Sequence, residues 1–100
     1  MTAGLHNTVT IVNRRGLHAR AAAKFMKLAA LYQCDIIVTR NDTAVPGRSL
    51  MGLLTLGASE GKEILITCVN TASSTDAEQA LADLSDLVNR GFDENDHDGS

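Results

Sequence analysis

The feature that most constrains this chain is a change of hydrophobic period made three times along it, from short β-branched stretches to apolar stripes of helical spacing. Residues 8–13 alternate β-branched and polar side chains, as a strand with one buried face does, and Gly16 ends the run. Ala22, Phe25, Met26 and Ala29 then fall at helical intervals, predicting a helix from Ala19 to about Leu31 with Arg20, Lys24 and Lys27 on another face. Residues 34–40 read as a second strand, Asn41-Asp42 as a turn, and residues 43–45 as a weaker strand stopped by Pro46-Gly47. Ser49 is placed to cap a short helix over 50–56, whose Leu50, Leu53 and Leu54 face one way and whose end is marked by Gly57. Residues 62–69 form the fourth strand candidate, and a polar connection over 70–74 follows. Thr75 and Glu78 have capping-box spacing, and Ala77, Ala80, Leu81, Leu84 and Val88 continue as a helix up to Gly91.

The order is strand, helix, strand, strand, helix, strand, helix. Three amphipathic helices need an apolar surface to cover, and a sheet with one apolar face supplies it, so the prediction is a two-layer α+β domain over residues 1–92. Residues 93–100 are acidic and nearly devoid of apolar side chains, and read as a disordered, solvated tail. With 100 residues, no Trp, one Tyr and two Phe, a single core built mainly from aliphatic side chains is expected.

The net charge of −3 gives no general reason to expect nucleic-acid binding, which rests on a basic face. Cys34 and Cys68 lie in apolar runs with no second ligand at metal spacing, and are read as buried free thiols of a reducing cytoplasm. The N-terminus carries no secretory pattern and no stretch is long enough to span a bilayer; a cytoplasmic, monomeric protein without metal or cofactor is expected.

Chemistry concentrates at His18. A helix start exposes N–H groups without intrahelical partners and carries the positive end of the helix dipole, so an anion held there gains several hydrogen bonds. Arg20 adds a permanent charge whose fork matches phosphate oxygens. Neutral imidazole offers a lone pair that can attack phosphorus and later leave, which suits reversible transfer. Local physics alone leaves a cap and a nucleophile both open.

Two separated segments bear on that choice. Gly16-Leu17-His18-Ala19-Arg20-Ala21-Ala22 resembles the phosphohistidine signature Gly-Leu-His-x-Arg-Pro-Ala of the HPr phosphocarrier proteins. Arg48-Ser49-Leu50-Met51-Gly52-Leu53-Leu54-Thr55-Leu56-Gly57 resembles their second signature, which holds a regulatory serine. The resemblance spans about residues 7–90. It implies an open-faced sandwich, a four-stranded antiparallel sheet covered on one face by three helices. It further implies that His18 receives a phosphoryl group on Nδ1 from phosphorylated enzyme I of a bacterial phosphotransferase system and donates it to an enzyme IIA domain. The chain would then be a protein substrate, not an enzyme.

By the same resemblance Arg20 stabilises the phosphate, and Ser49 matches a serine that a dedicated kinase phosphorylates in many members. Leu50, Met51 and Leu54 are expected at the docking surface, with Arg20, Lys24, Lys27 and Arg48 framing it with positive charge. Leu53 and Leu54 also read as ordinary core, and Lys24 and Lys27 serve equally as a solvated helix face. Ala21 stands where the family has proline; alanine is a good helix former, so the helix and the transfer should survive. The connection after the fourth strand is a few residues longer than usual. His6, ahead of the first strand, and His97, in the tail, are assigned no role. A regulatory binding module using the same face is the competing reading, and the sugar-transport and nitrogen-regulatory branches stay open; Leu50-Met51-Gly52 is reminiscent of the regulatory branch.

Overall fold

Each strand candidate becomes a strand, and the sheet pairs them in the order β1-β4-β2-β3, every neighbour antiparallel. A computed structural model describes residues 5–69 and 74–94. The elements are β1 (Leu5–Thr10), α1 (Ala19–Ala29), β2 (Asp35–Arg40), β3 (Thr43–Pro46), α2 (Leu50–Thr55), β4 (Glu63–Val69) and α3 (Ser74–Asn89). A short 3-10 turn, Gly91–Asp93, follows α3. This is the expected order, and it makes an open-faced sandwich.

The period of two decides which face is covered. Val9, Ile36, Val38, Ile64, Ile66 and Cys68 are buried, while their alternates Thr8, Thr10, Ile37, Thr39, Leu65 and Thr67 stay partly or fully exposed. The register puts Val9 opposite Ile64, Val38 opposite Ile66 and Ile36 opposite Cys68, so cross-strand neighbours point the same apolar way. α3 lies on β1 and β4, and α1 packs against α2 and α3. Asn7 Nδ2 donates to Ser85 Oγ across 2.8 Å, tying the edge strand β1 to α3. The core is less aliphatic than the composition suggests, because both phenylalanines, Phe25 and Phe92, are fully buried in it. Cys34 and Cys68 are free and buried, as expected.

Several boundaries move for identifiable reasons. β1 begins at Leu5, ahead of the alternating run, because its backbone pairs with β4 regardless of side-chain polarity; His6, opposite Thr67, is therefore inside a strand and not ahead of it. α1 stops at Ala29, short of Leu31, where Ala30 N–H still reaches the Met26 carbonyl at 3.1 Å. α3 already includes Ser74, so Thr75 is a helical residue and not the cap; residues 70–73, and with them most of the expected connection, lie outside the described residues. The solvated tail was expected from residue 93, yet Asp93 pairs with Arg90 and Glu94 is folded back onto the domain; residues 95–100, including His97, lie outside the described residues.

Candidate functional site

The loop before α1 is built to present His18. Gly16 takes φ +68°, a left-handed conformation that glycine adopts without penalty, and its Cα packs against backbone: a Cβ there would stand 2.6 Å from the Ala58 carbonyl oxygen. Leu17 then buries its side chain, and its N–H donates to the Ala58 carbonyl at 2.9 Å. With both neighbours fixed, His18 falls in extended geometry at the N-cap of α1, and its carbonyl accepts the Ala22 N–H at 2.8 Å.

The ring itself supplies the cap. Nδ1 accepts the backbone N–H of Arg20 at 3.3 Å. The first turn of α1 holds no acidic side chain to compete with an anion. The Arg20 guanidinium is exposed and has no hydrogen-bond or ion-pair partner among the described residues. Ala21 is fully buried, and the helix starts at Ala19 without the proline.

On the other side of the ring, Nε2 meets Glu94 Oε2. The second carboxylate oxygen, Oε1, accepts from Asn13 Nδ2 at 2.9 Å, and the same amide nitrogen donates to the Gly16 carbonyl at 2.8 Å. Asn13 is only 1% exposed, and its Oδ1 finds no partner among the described residues. Lys24 Nζ donates to the Phe92 carbonyl at 2.7 Å, fixing the turn that carries Glu94.

Asn13, Glu94 and the anchoring of Phe92 are thus site features that the sequence reading did not identify. Asn13 reads as the polar end of a strand and Glu94 as one acid among several; the one available signal was an aromatic residue, Phe92, placed just beyond a helix-ending glycine.

The expected docking residues divide. Met51 is 70% exposed, whereas Leu50 and Leu54 are half-buried against the core and Leu53 is fully buried. Lys27 is exposed. Arg48 turns its guanidinium inward, donating from Nη2 to the carbonyls of Ala29, Tyr32 and Cys34. Ser49 caps α2, its Oγ accepting the Gly52 N–H at 3.0 Å.

The family description "PTS HPr component phosphorylation site" matches residues 5–90. The chain belongs to the HPr family. The phosphocarrier protein HPr of Neisseria meningitidis serogroup A is 38% identical over 90 residues, covering 90% of this chain and 97% of that one. The phosphocarrier protein NPr of Shewanella violacea is 37% identical, covering 90% of this chain and 94% of that one. The crystal structure of an HPr from Bacillus anthracis superposes with a TM-score of 0.78 at 32% identity, covering 87% of this chain and 99% of that one. Like other HPr proteins, this one is a phosphocarrier of the phosphotransferase system and not an enzyme. Among the described residues no helix is long and apolar enough to cross a membrane.

Proposed function

We propose that His18 is the residue that carries the phosphoryl group, loaded on Nδ1 by phosphorylated enzyme I and unloaded to an enzyme IIA domain. The observation that carries this reading is the direction of the ring: Nδ1 faces the start of α1 and accepts the Arg20 N–H, so a phosphate bonded to it would take over that backbone donor and meet the positive end of the helix. Arg20, exposed and unengaged, supplies the positive charge that equatorial phosphate oxygens need. Positioning and charge are what phosphoryl transfer chiefly demands, which supports a carrier with no metal of its own.

Docking is assigned to α2 and its surroundings, with Met51 as the exposed apolar contact, Leu50 and Leu54 beside it, and Arg20, Lys24, Lys27 and Arg48 as the positive frame. Lys24 and Arg48 also serve the fold through their carbonyl contacts, so Arg20 and Lys27 carry the freer charge. Ser49, half-buried at the start of α2, is the candidate for a regulatory kinase; a phosphate there would add roughly two negative charges to a surface that receives acidic partners.

Incubation with phosphoenolpyruvate and enzyme I tests the assignment. Acid-labile phosphate is expected on the wild type and lost in His18→Ala, with the fold intact; label retained on that variant sinks it. Relatives named HPr and NPr both match, and the acceptor that takes the label, from a sugar-transport or a nitrogen-regulatory enzyme IIA, decides the branch.

A further inference from the structure

The two nitrogens of His18 are asked for opposite things. The Arg20 N–H points at Nδ1 and needs a lone pair there, while Glu94 places a carboxylate oxygen on Nε2. A carboxylate only accepts, so the proton sits on Nε2 and the lone pair on Nδ1. The carboxylate is itself aimed, since its other oxygen is held by the buried Asn13 amide. With side-chain exposures of 16% and 11%, His18 and Glu94 meet where solvent screens them little.

Bringing Glu94 there takes an unusual turn. Gly91, Phe92 and Asp93 have successive φ values of +68°, +57° and +59°, and only the first is a glycine. Side chains resist that conformation, and it persists only where the surroundings impose it. Here they do: Phe92 is fully buried, Lys24 holds its carbonyl, Arg90 pairs with Asp93, and Glu94 N–H returns to the Gly91 carbonyl at 3.1 Å. The strained turn delivers one carboxylate to one imidazole nitrogen.

We propose that Glu94 is a positioning residue for phosphoryl transfer, fixing the Nε2–H tautomer of His18 and pairing with the ring when Nδ1 is bonded to phosphorus. The inference rests on the reading of His18 as the phosphoryl acceptor. In the loading step the Nδ1 lone pair forms the N–P bond while the bond from phosphorus to the donor atom of enzyme I breaks, its electron pair returning to the donor. No proton moves. The Nε2 proton stays in place, the ring becomes cationic, and the Glu94 carboxylate faces that charge. Unloading reverses this, with the neutral Nε2–H imidazole as leaving group. Carboxylates hold histidines in this way in metal sites and hydrolytic triads, where they set tautomer and ring orientation.

The test combines ring nitrogen NMR with single-turnover loading on the full chain, comparing wild type, Glu94→Ala and Glu94→Gln. At a pH where imidazole is neutral, the wild type should show a protonated Nε2 and a bare Nδ1. Glu94→Ala should show a mixture of tautomers and load at least about tenfold more slowly. Glu94→Gln offers one amide oxygen to two donors and should fall between. Wild-type ring shifts in Glu94→Ala, whether its loading is fast or slow, overturn the inference, as does wild-type loading. Absence of any label on wild-type His18 would instead overturn the carrier reading, while the ring shifts still report on Glu94.

Discussion

Lys24 Nζ lies 2.7 Å from the carbonyl oxygen of Phe92, joining the second turn of α1 to the last described turn of the chain. The Phe92 ring is the apolar half of that link, with no exposure to solvent. Replacing Phe92 by Ala should cost about 3–5 kcal/mol through lost burial and a residual cavity. Because Glu94 is carried two residues further on, the variant should also free His18 Nε2. Urea denaturation reads the first effect, with a lowered midpoint at unchanged slope, and the His18 ring shifts read the second.

Gly16 and Gly57 both have positive φ, +68° and +60°, but differ in what surrounds them. A Cβ on Gly57 meets nothing within 4 Å, so Gly57→Ala should pay only the left-handed penalty of about 1–2 kcal/mol. A Cβ on Gly16 would stand 2.6 Å from the Ala58 oxygen and 2.8 Å from the Ser59 Cα, both backbone. Gly16→Ala must therefore displace a loop, and should lose clearly more stability than Gly57→Ala. It should also slow phosphorylation, because His18 follows two residues later. Thermal unfolding of the pair, with loading rates, checks the contrast; equal losses would show that the contact at Ala58 yields freely.

Arg48 was expected to frame a docking surface by its charge, and the structure adds a task inside the domain. Its Nη2 donates to the carbonyls of Ala29 and Cys34 at 3.3 and 3.1 Å, and to that of Tyr32, gathering the end of α1 and the start of β2. Hydrogen bonds from a charged donor contribute about 1.5–3 kcal/mol each when well formed, and one shared, partly exposed group should contribute about 1–3 in all. Arg48→Ala should lower the unfolding midpoint accordingly, and Arg48→Lys should restore only part, since an ammonium lacks the planar fork. An unchanged midpoint would leave Arg48 to the surface alone.

The fold was legible because its signals are local and agree. Alternation over residues 8–13 and the stripe of Ala22, Phe25, Met26 and Ala29 each specify one face, and Ser49 caps where its side chain says it should. The placement of His18 and Arg20 as neighbours at one helix start was legible for the same reason. What the sequence hid are relations between distant positions. Asn13 and Glu94 stand 81 residues apart, and nothing in the composition of the acidic segment distinguishes Glu94 from the acids around it. Its position follows from the burial of Phe92 and from three residues of positive φ in a row, a backbone path with no period to detect. Arg48 is similar: its chain neighbours place it before a helix, and only the tertiary packing shows it carbonyls of another element. The start of β1 was missed for a simpler reason, since pairing with β4 is a backbone property that the polar side chains of His6 and Asn7 do not announce.

The single tyrosine makes one feature of the packing directly readable by light absorption. Burial, followed by the hydrogen bond that the Tyr32 phenol donates to Asp83 Oδ2 and the charge of that carboxylate, pushes the phenol up to about 12 from an ordinary 10.0. The folded chain thus holds this proton more tightly than the unfolded chain. The resulting stability is fully present below pH 10 and is lost as pH rises from about 10 to about 12. An absorbance titration of the phenolate should give a midpoint near 12 in the wild type. Asp83→Asn should bring it down towards, but not to, the ordinary value, since burial remains the larger cause. A wild-type midpoint near 10, unchanged by Asp83→Asn, would mean that Tyr32 does not tie the turn after α1 to α3 in solution.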